Sequence, residues 1–160
     1  MTRFTLLCQL NGGCMGCCGR DFISKEKIKE AIRENTEEFK AANPLVKAQL
    51  MKFRDRAHPH DLRYGVCRNL IELEGKIFCP LHPSLHQRVD LRTNHCDIDF
   101  MCRTAVTFET WVAEKQKRFI DFIAGKKIDN LDFSLGIDKG TLLDEFEAFL
   151  QSNGNTELLM

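Results

Sequence analysis

Cysteine is the residue that most constrains how this chain can fold, because eight cysteines occur in 160 residues. Thiols at that density are typical of metal-binding or redox proteins in reducing compartments, and of disulfide-rich proteins outside them. Each of these uses brings distant stretches of chain together, so the cysteines indicate where the fold closes. The eight positions are Cys8, Cys14, Cys17, Cys18, Cys67, Cys79, Cys96 and Cys102.

The composition indicates the setting in which these thiols work. Hydrophobic residues make up 43% and charged residues 29% of the chain, which is typical of a globular protein with a core. The formal net charge is zero, which argues against nucleic acid as the main partner. No apolar run approaches the roughly 20 residues of a bilayer crossing, and the first apolar stretch is too short for a secretory signal. We therefore predict a cytoplasmic protein with no nucleic-acid or membrane partner.

The spacing of the first cysteine group favours metal ligation. Two residues separate Cys14 from Cys17, and this spacing lets both thiolates reach one ion from a tight turn. Cys18 is adjacent to Cys17, and neighbouring side chains point in different directions in extended backbone. Either one of the two ligates while the other packs, or the two serve different ions, since eight thiolates suffice for two four-thiolate sites.

Other uses of the cysteines stay open at this point. Cys8, in the stretch TLLCQL, is also interpretable as a core residue. Structural disulfides would need an oxidising compartment, and a thioredoxin-like pair should open a helix, whereas Cys14 follows a glycine turn. Arg20, Arg68 and Arg103 each lie within two residues of a cysteine, where a guanidinium could donate to a thiolate or belong to a solvated basic face.

Hydrophobic periodicity predicts two helices after the first cysteine group. Ser24 is the predicted N-cap of a helix from residue 25 to about 41, which Pro44 ends. A second helix is predicted from about residue 45 to 56. Together they form a helical insertion over about residues 24–57.

A β-hairpin is predicted between Cys67 and Cys79, because apolar and polar residues alternate there around the turn residues Glu74 and Gly75. A hairpin of this kind delivers its two end cysteines close to one another.

The stretch after Cys79 contains two prolines and is predicted to be a loop. His82 stands at a zinc-compatible CxxH spacing from Cys79, so it is an alternative ligand. We expect instead that His82, His86 and His95 face solvent or cap backbone groups.

Two helices are predicted after Cys102, the first capped by Thr107 and reaching about residue 124, the second capped by Asp138. Their apolar stripes are predicted to be core, with a homodimer seam as the alternative use of the first stripe. The predicted inward residues are Phe108, Trp111, Val112, Phe119 and Ile123 in the first helix, and Leu142, Leu143, Phe146, Phe149 and Leu150 in the second.

The cysteine-containing segments resemble a known family. GCMGCCGRDFISKEKIKEAI is similar to the start of the zinc- or iron-chelating domain family, in which a CxxCC segment runs into a helix. CRNLIELEGKIFCPLHP and LRTNHCDIDFMC are similar to its second half, with cysteines flanking a hairpin, a proline-containing loop, an arginine shortly before a cysteine and a closing cysteine.

The resemblance implies that Cys14, Cys17, Cys18, Cys67, Cys79, Cys96 and Cys102 chelate metal, without fixing which metal. Cys8 departs from the family pattern, which has its first cysteine where this chain has Asn11. A similar CxxCC segment also occurs in larger flagellin lysine methylases, so a component of a protein-modifying enzyme is one alternative function.

Together these observations predict an α+β, mainly helical, small cysteine-rich metal-binding domain with one β-hairpin and C-terminal helices. Residues 1–152 are predicted to form a single domain, with a metal-binding core at 1–103, helices packed on it at 104–152 and a tail at 153–160. The predicted function is chelation of Zn²⁺, or of iron, in a structural or interaction role with an unidentified protein partner and without enzymatic activity. The main alternative is a 4Fe–4S cluster in redox or radical chemistry, which would absorb visible light whereas zinc would not.

Overall fold

A computed structural model describes residues 5–153, in which six α-helices and two small antiparallel hairpins occur. The fold class is α+β and mainly helical, as the sequence predicts. Within the described range, no helix has both the length and the apolar character that a bilayer crossing requires.

The chain divides into two compact units. The hairpin unit comprises residues 17–100, and the helical unit comprises the described residues 5–16 and 101–153. The first boundary falls inside the CxxC segment, and the second falls three residues before the predicted limit of the cysteine-rich core at residue 103. The predicted tail, apart from Asn153, lies outside the described residues. Phe4, the first residue of the N-terminal apolar stretch, also lies outside them.

The hairpin unit contains the two predicted inserted helices and four short strands. Ser24 caps the first helix, because its Oγ accepts a hydrogen bond from Lys27 N at 3.1 Å. Asn43 ends that helix in the left-handed conformation. The elements are α1 (Lys25–Ala42), α2 (Lys47–Arg54), β1 (Leu62–Arg63), β2 (Val66–Cys67), β3 (Ile71–Leu73) and β4 (Lys76–Phe78).

Both hairpins close through two-residue turns with positive φ, at Tyr64–Gly65 and at Glu74–Gly75. Such turns match the right-handed twist of the flanking strands. The β3–β4 hairpin is the predicted one, and the β1–β2 hairpin is an addition that the sequence analysis did not predict. Helix α1 packs on β3, where Thr36 Oγ1 accepts a hydrogen bond from Glu72 N at 2.9 Å.

The helical unit has four helices in the described part of the chain after Cys102, so the prediction of two was wrong. The elements are α3 (Arg103–Glu109), α4 (Ala113–Lys126), α5 (Asn130–Lys139) and α6 (Thr141–Ser152).

The predicted first helix is broken near Thr110, whose hydroxyl donates to Thr107 O at 2.6 Å and so competes with continued helical bonding. Helix α5 was missed because Gly136 weakens its local helix propensity. Its N-cap is Asp129, and Asp138 lies inside α5 instead of capping the next helix.

Most of the predicted apolar stripes form the core of the helical unit. Val112 and Phe149 are exceptions, with 68% and 38% of their surface exposed. Val112 precedes α4 in extended backbone, so the helical spacing that predicts an inward side chain does not apply to it. The buried cluster consists of Leu7, Phe108, Phe119, Ile123, Phe133, Ile137, Leu142, Phe146 and Leu150.

Candidate metal centre

The two units share the cysteines unequally. Cys17 is exposed, and the other seven cysteines are half-buried. The hairpin unit holds Cys17, Cys18, Cys67, Cys79 and Cys96, and the helical unit holds Cys8, Cys14 and Cys102.

Backbone pairing brings Cys18 beside Cys67. Cys67 N donates to Cys18 O at 2.9 Å, and Arg20 N donates to Gly65 O at 2.8 Å. Gly19 forms a β-bridge with Val66 between these two hydrogen bonds. The segment that follows the CxxC spacing therefore runs antiparallel to β2, with Cys18 and Cys67 as neighbours.

The β3–β4 hairpin brings Cys79 to the same place. Ile71 at the start of β3 pairs with Phe78 at the end of β4, so both lie at the open end of the hairpin. The turn of residues 67–70 leads into Ile71, and Cys79 directly follows Phe78. A distant pair of cysteines is thereby placed at one end of one hairpin, as the sequence predicts.

Backbone amides lie near two of these sulfurs. The amides of Asn69 and Leu70 act to lower the pKa of the Cys67 thiol, and the amide of Leu81 acts to lower the pKa of the Cys79 thiol. The Leu70 N–H donates its backbone hydrogen bond to Cys67 O at 3.2 Å. Amide dipoles beside a sulfur favour its thiolate form, as they do around metal-bound sulfur.

The five thiols of the hairpin unit interact with one another electrostatically. The hydrogen bond with Cys17, together with burial and the nearby sulfurs of Cys67 and Cys79, raises the pKa of Cys18 well above its usual value. Burial, together with the nearby sulfurs of Cys67 and Cys17, raises the pKa of Cys96 to about 11, although Arg92 opposes the rise.

Cys67 and Cys79 follow the same trend. Burial raises the pKa of both thiols, while the backbone amides and the nearby Arg56 or Arg92 guanidinium oppose that rise. Without a bound cation these thiols are therefore neutral near pH 7, and a cation that binds them must displace protons.

Arg92 is the arginine placed beside two of the sulfurs. It lies close enough to Cys79 and Cys96 to lower the pKa of both. Asp90 fixes its position, because Arg92 Nε and Nη2 each donate to a different Asp90 carboxylate oxygen at 2.9 Å. The resemblance implies an arginine shortly before Cys96, which is Arg92, whereas proximity to a cysteine in the sequence predicts Arg20, Arg68 and Arg103 as donors to thiolates.

Two of those other arginines have acidic partners. Arg68 Nη1 donates to Asp61 at 3.2 Å, and Arg103 Nη2 donates to Asp144 at 3.4 Å. The hydrogen-bonding partners of Arg68 and Arg103 are therefore carboxylates, although both arginines lie next to a cysteine in the sequence.

The remaining three cysteines lie in the helical unit. Cys14 N donates to Cys8 O at 2.9 Å, and the Cys14 thiol is 3.9 Å from Ser134 O on α5. Cys14 and Cys102 both pack against the apolar core of this unit. Ligation by these three residues stays a prediction.

The thiols are not already arranged as a closed metal site. Over residues 5–153, no three His, Cys, Asp or Glu side chains stand together in an arrangement that would hold a metal ion. The fit of the hairpin unit to a thiophilic metal therefore lies in its donor chemistry: neighbouring cysteines, backbone amides near two of the sulfurs and a nearby guanidinium.

The histidines near Cys79 have other contacts. His82 Nδ1 accepts a hydrogen bond from Ser84 N at 3.1 Å, and burial lowers the pKa of His82 to about 4. His86 Nε2 bonds to Pro80 O at 2.7 Å. His95 does not face solvent as expected, because only 6% of its surface is exposed.

Gly65 offers a test of the contact between residues 18–20 and the β1–β2 hairpin. It has φ +88°, and a Cβ there would lie 2.6 Å from Arg20 O. Gly75 has φ +77°, but a Cβ there would meet no atom within 4 Å. Gly65→Ala should therefore lower the free energy of unfolding by about 1–3 kcal/mol more than Gly75→Ala, because it adds a steric overlap to the same backbone strain.

Urea denaturation of the two variants measures this difference. Equal losses of stability would show that residues 18–20 do not pack on the β1–β2 turn.

Comparisons with family models, with curated proteins and with solved structures find no match to this chain. Membership of the zinc- or iron-chelating domain family therefore stays a prediction.

Proposed function

We propose that this protein binds a thiophilic metal ion, zinc ahead of iron, through the cysteines of its hairpin unit, and that the ion fastens the hairpin to the CxxC segment. The ligands proposed are Cys18, Cys67, Cys79 and Cys96. These four thiols are half-buried, whereas Cys17 is exposed.

The observation that carries the proposal is that the backbone places cysteines from remote stretches of the chain at one end of the β3–β4 hairpin. Cys18 pairs with Cys67 through the backbone, and Cys79 stands at the same hairpin end. Backbone amides near Cys67 and Cys79 favour the thiolate form of both. Four thiolates in tetrahedral geometry are a common structural zinc set. The proposal requires the side chains to close around the ion, with loss of their thiol protons.

The proposed role is structural, in a cytoplasmic protein, since a reducing compartment keeps such thiols available for metal. A protein partner and a homodimer stay proposals without a described surface to support them. The same four thiolates would also suit an iron–sulfur cluster, so the test must distinguish the two.

Elemental analysis of protein purified without oxygen tests the proposal. We expect at least one zinc per chain and no visible absorption band. One or more iron atoms per chain with acid-labile sulfide would favour the cluster instead. Protein with less than stoichiometric metal, even after supply of zinc under reducing conditions, would contradict metal binding altogether.

A further inference from the structure

We propose that Asn35, on helix α1, positions the Cys67 turn for metal binding, acting with Arg56 as a clamp on the backbone of residues 67–70. This inference rests on the proposed metal-binding function and deepens it, because it assigns residues outside the cysteine set to the site.

Asn35 holds both ends of the turn. Its side chain is completely buried, and Nδ2 donates to Cys67 O and to Leu70 O, each at 2.9 Å. An amide nitrogen has two N–H groups, so these two carbonyls use its full donor capacity. Helix α1 is thereby joined to Cys67, which carries the sulfur, and to Leu70, which directly precedes β3.

A hydrogen bond from Arg63, which is itself held by an ion pair with Glu38, fixes the orientation of the Asn35 amide. Its Oδ1 accepts a hydrogen bond from Arg63 Nη1 at 2.9 Å. Arg63 Nη2 in turn donates to Glu38 Oε1 at 2.6 Å, one turn further along α1. Because an arginine is only a donor, it holds the oxygen side of the amide towards itself and the nitrogen side towards the turn.

Arg56 holds the middle of the same turn. It donates to Arg68 O through Nη2 and to Asn69 Oδ1 through Nη1 at 2.9 Å. Its Nε donates to Glu38 Oε2 at 2.9 Å, so the Glu38 carboxylate holds both Arg56 and Arg63. Burial opposes ionisation of Glu38, but the hydrogen bonds from Arg63 and Arg56 outweigh it and lower its pKa.

These contacts fix the backbone that carries the sulfur. Asn35 holds the carbonyls of Cys67 and Leu70, and Arg56 holds the carbonyl of Arg68. Three of the four carbonyls of residues 67–70 are thereby held by side chains from outside the turn. The position of Cys67 is therefore set before any ion binds, which lowers the cost of ordering the site.

Asn35→Asp tests the inference, because it keeps the shape of the side chain and removes both donors. We expect zinc affinity, measured by competition with a chromophoric chelator, to fall about 10- to 100-fold, the usual effect of losing an outer-shell partner. Thr36→Val is the matched control. Thr36 is the adjacent buried residue on α1, and it bonds to β3 instead of the Cys67 turn.

The control separates positioning from general stability. Both variants should lower the melting temperature of the metal-free protein, but Thr36→Val should leave zinc affinity unchanged. If Asn35→Asp does not fold, Arg56→Lys replaces it, since lysine keeps the charge beside Glu38 but lacks the planar guanidinium whose three nitrogens contact Glu38, Asn69 and Arg68. Wild-type affinity in the folded clamp variant, or equal losses in the control, would overturn the inference. Failure of the wild-type protein to take up zinc would instead overturn the proposed function.

Discussion

Replacement of Cys79 by serine should remove one bound metal ion per chain. Serine keeps the approximate size of the side chain but supplies a poor ligand where the structure places a sulfur near a backbone amide. Loss of a direct ligand should cost more than the roughly 100-fold that an outer-shell partner costs, so metal should be lost during purification. Elemental analysis of wild-type and variant protein, purified side by side without oxygen, measures the difference.

Cys8→Ser is the control for this experiment. Cys8 belongs to the helical unit, and its sequence context fits a core residue. We expect this variant to keep the metal that Cys79→Ser loses. Equal and small losses in both variants would contradict the assignment of ligands to the hairpin unit.

Removal of zinc by a chelator should destabilise the protein strongly. A ligand present at about a thousand times its dissociation constant stabilises the folded state by about 4 kcal/mol. For a chain of this size that corresponds to a fall in melting temperature of about 8–16 °C on chelation. Differential scanning calorimetry with and without a chelator, under reducing conditions, measures the change.

Hydrogen exchange should locate this destabilisation. Amides of the β3–β4 hairpin and of the Cys67 turn should exchange faster without zinc, because their stability includes the binding free energy. Amides of α4 and α6, in the helical unit, should change much less. Unchanged exchange in the hairpin, in protein shown to have lost its zinc, would contradict a fastening role for the metal.

The features that sequence predicted correctly have local causes. Ser24 caps α1 through its own side chain, and Gly75 closes the β3–β4 turn with its positive φ. Both effects depend on residues within a few positions of each other, so sequence alone reveals them. The convergence of Cys67 and Cys79 followed from the predicted hairpin.

The features that sequence missed depend on distant contacts. Gly136 disfavours a helix locally, yet α5 forms because its neighbouring side chains, such as Phe133 and Ile137, are buried in the helical unit. Arg92 reaches Cys79 across a loop, which no spacing rule predicts.

Asn35 did leave a signal in the sequence. It falls on the same helical face as Ile28 and Ile32, where a buried polar residue needs partners. Its partners lie more than thirty residues away, so the signal pointed to a polar contact without identifying it.

X-ray absorption at the zinc edge tests the central claim most directly. The claim is that thiolates from separate stretches of the chain surround one ion. The account predicts a zinc spectrum dominated by sulfur neighbours at about 2.3 Å, the usual zinc–thiolate distance. A first shell made mainly of nitrogen or oxygen at about 2.0–2.2 Å would contradict it.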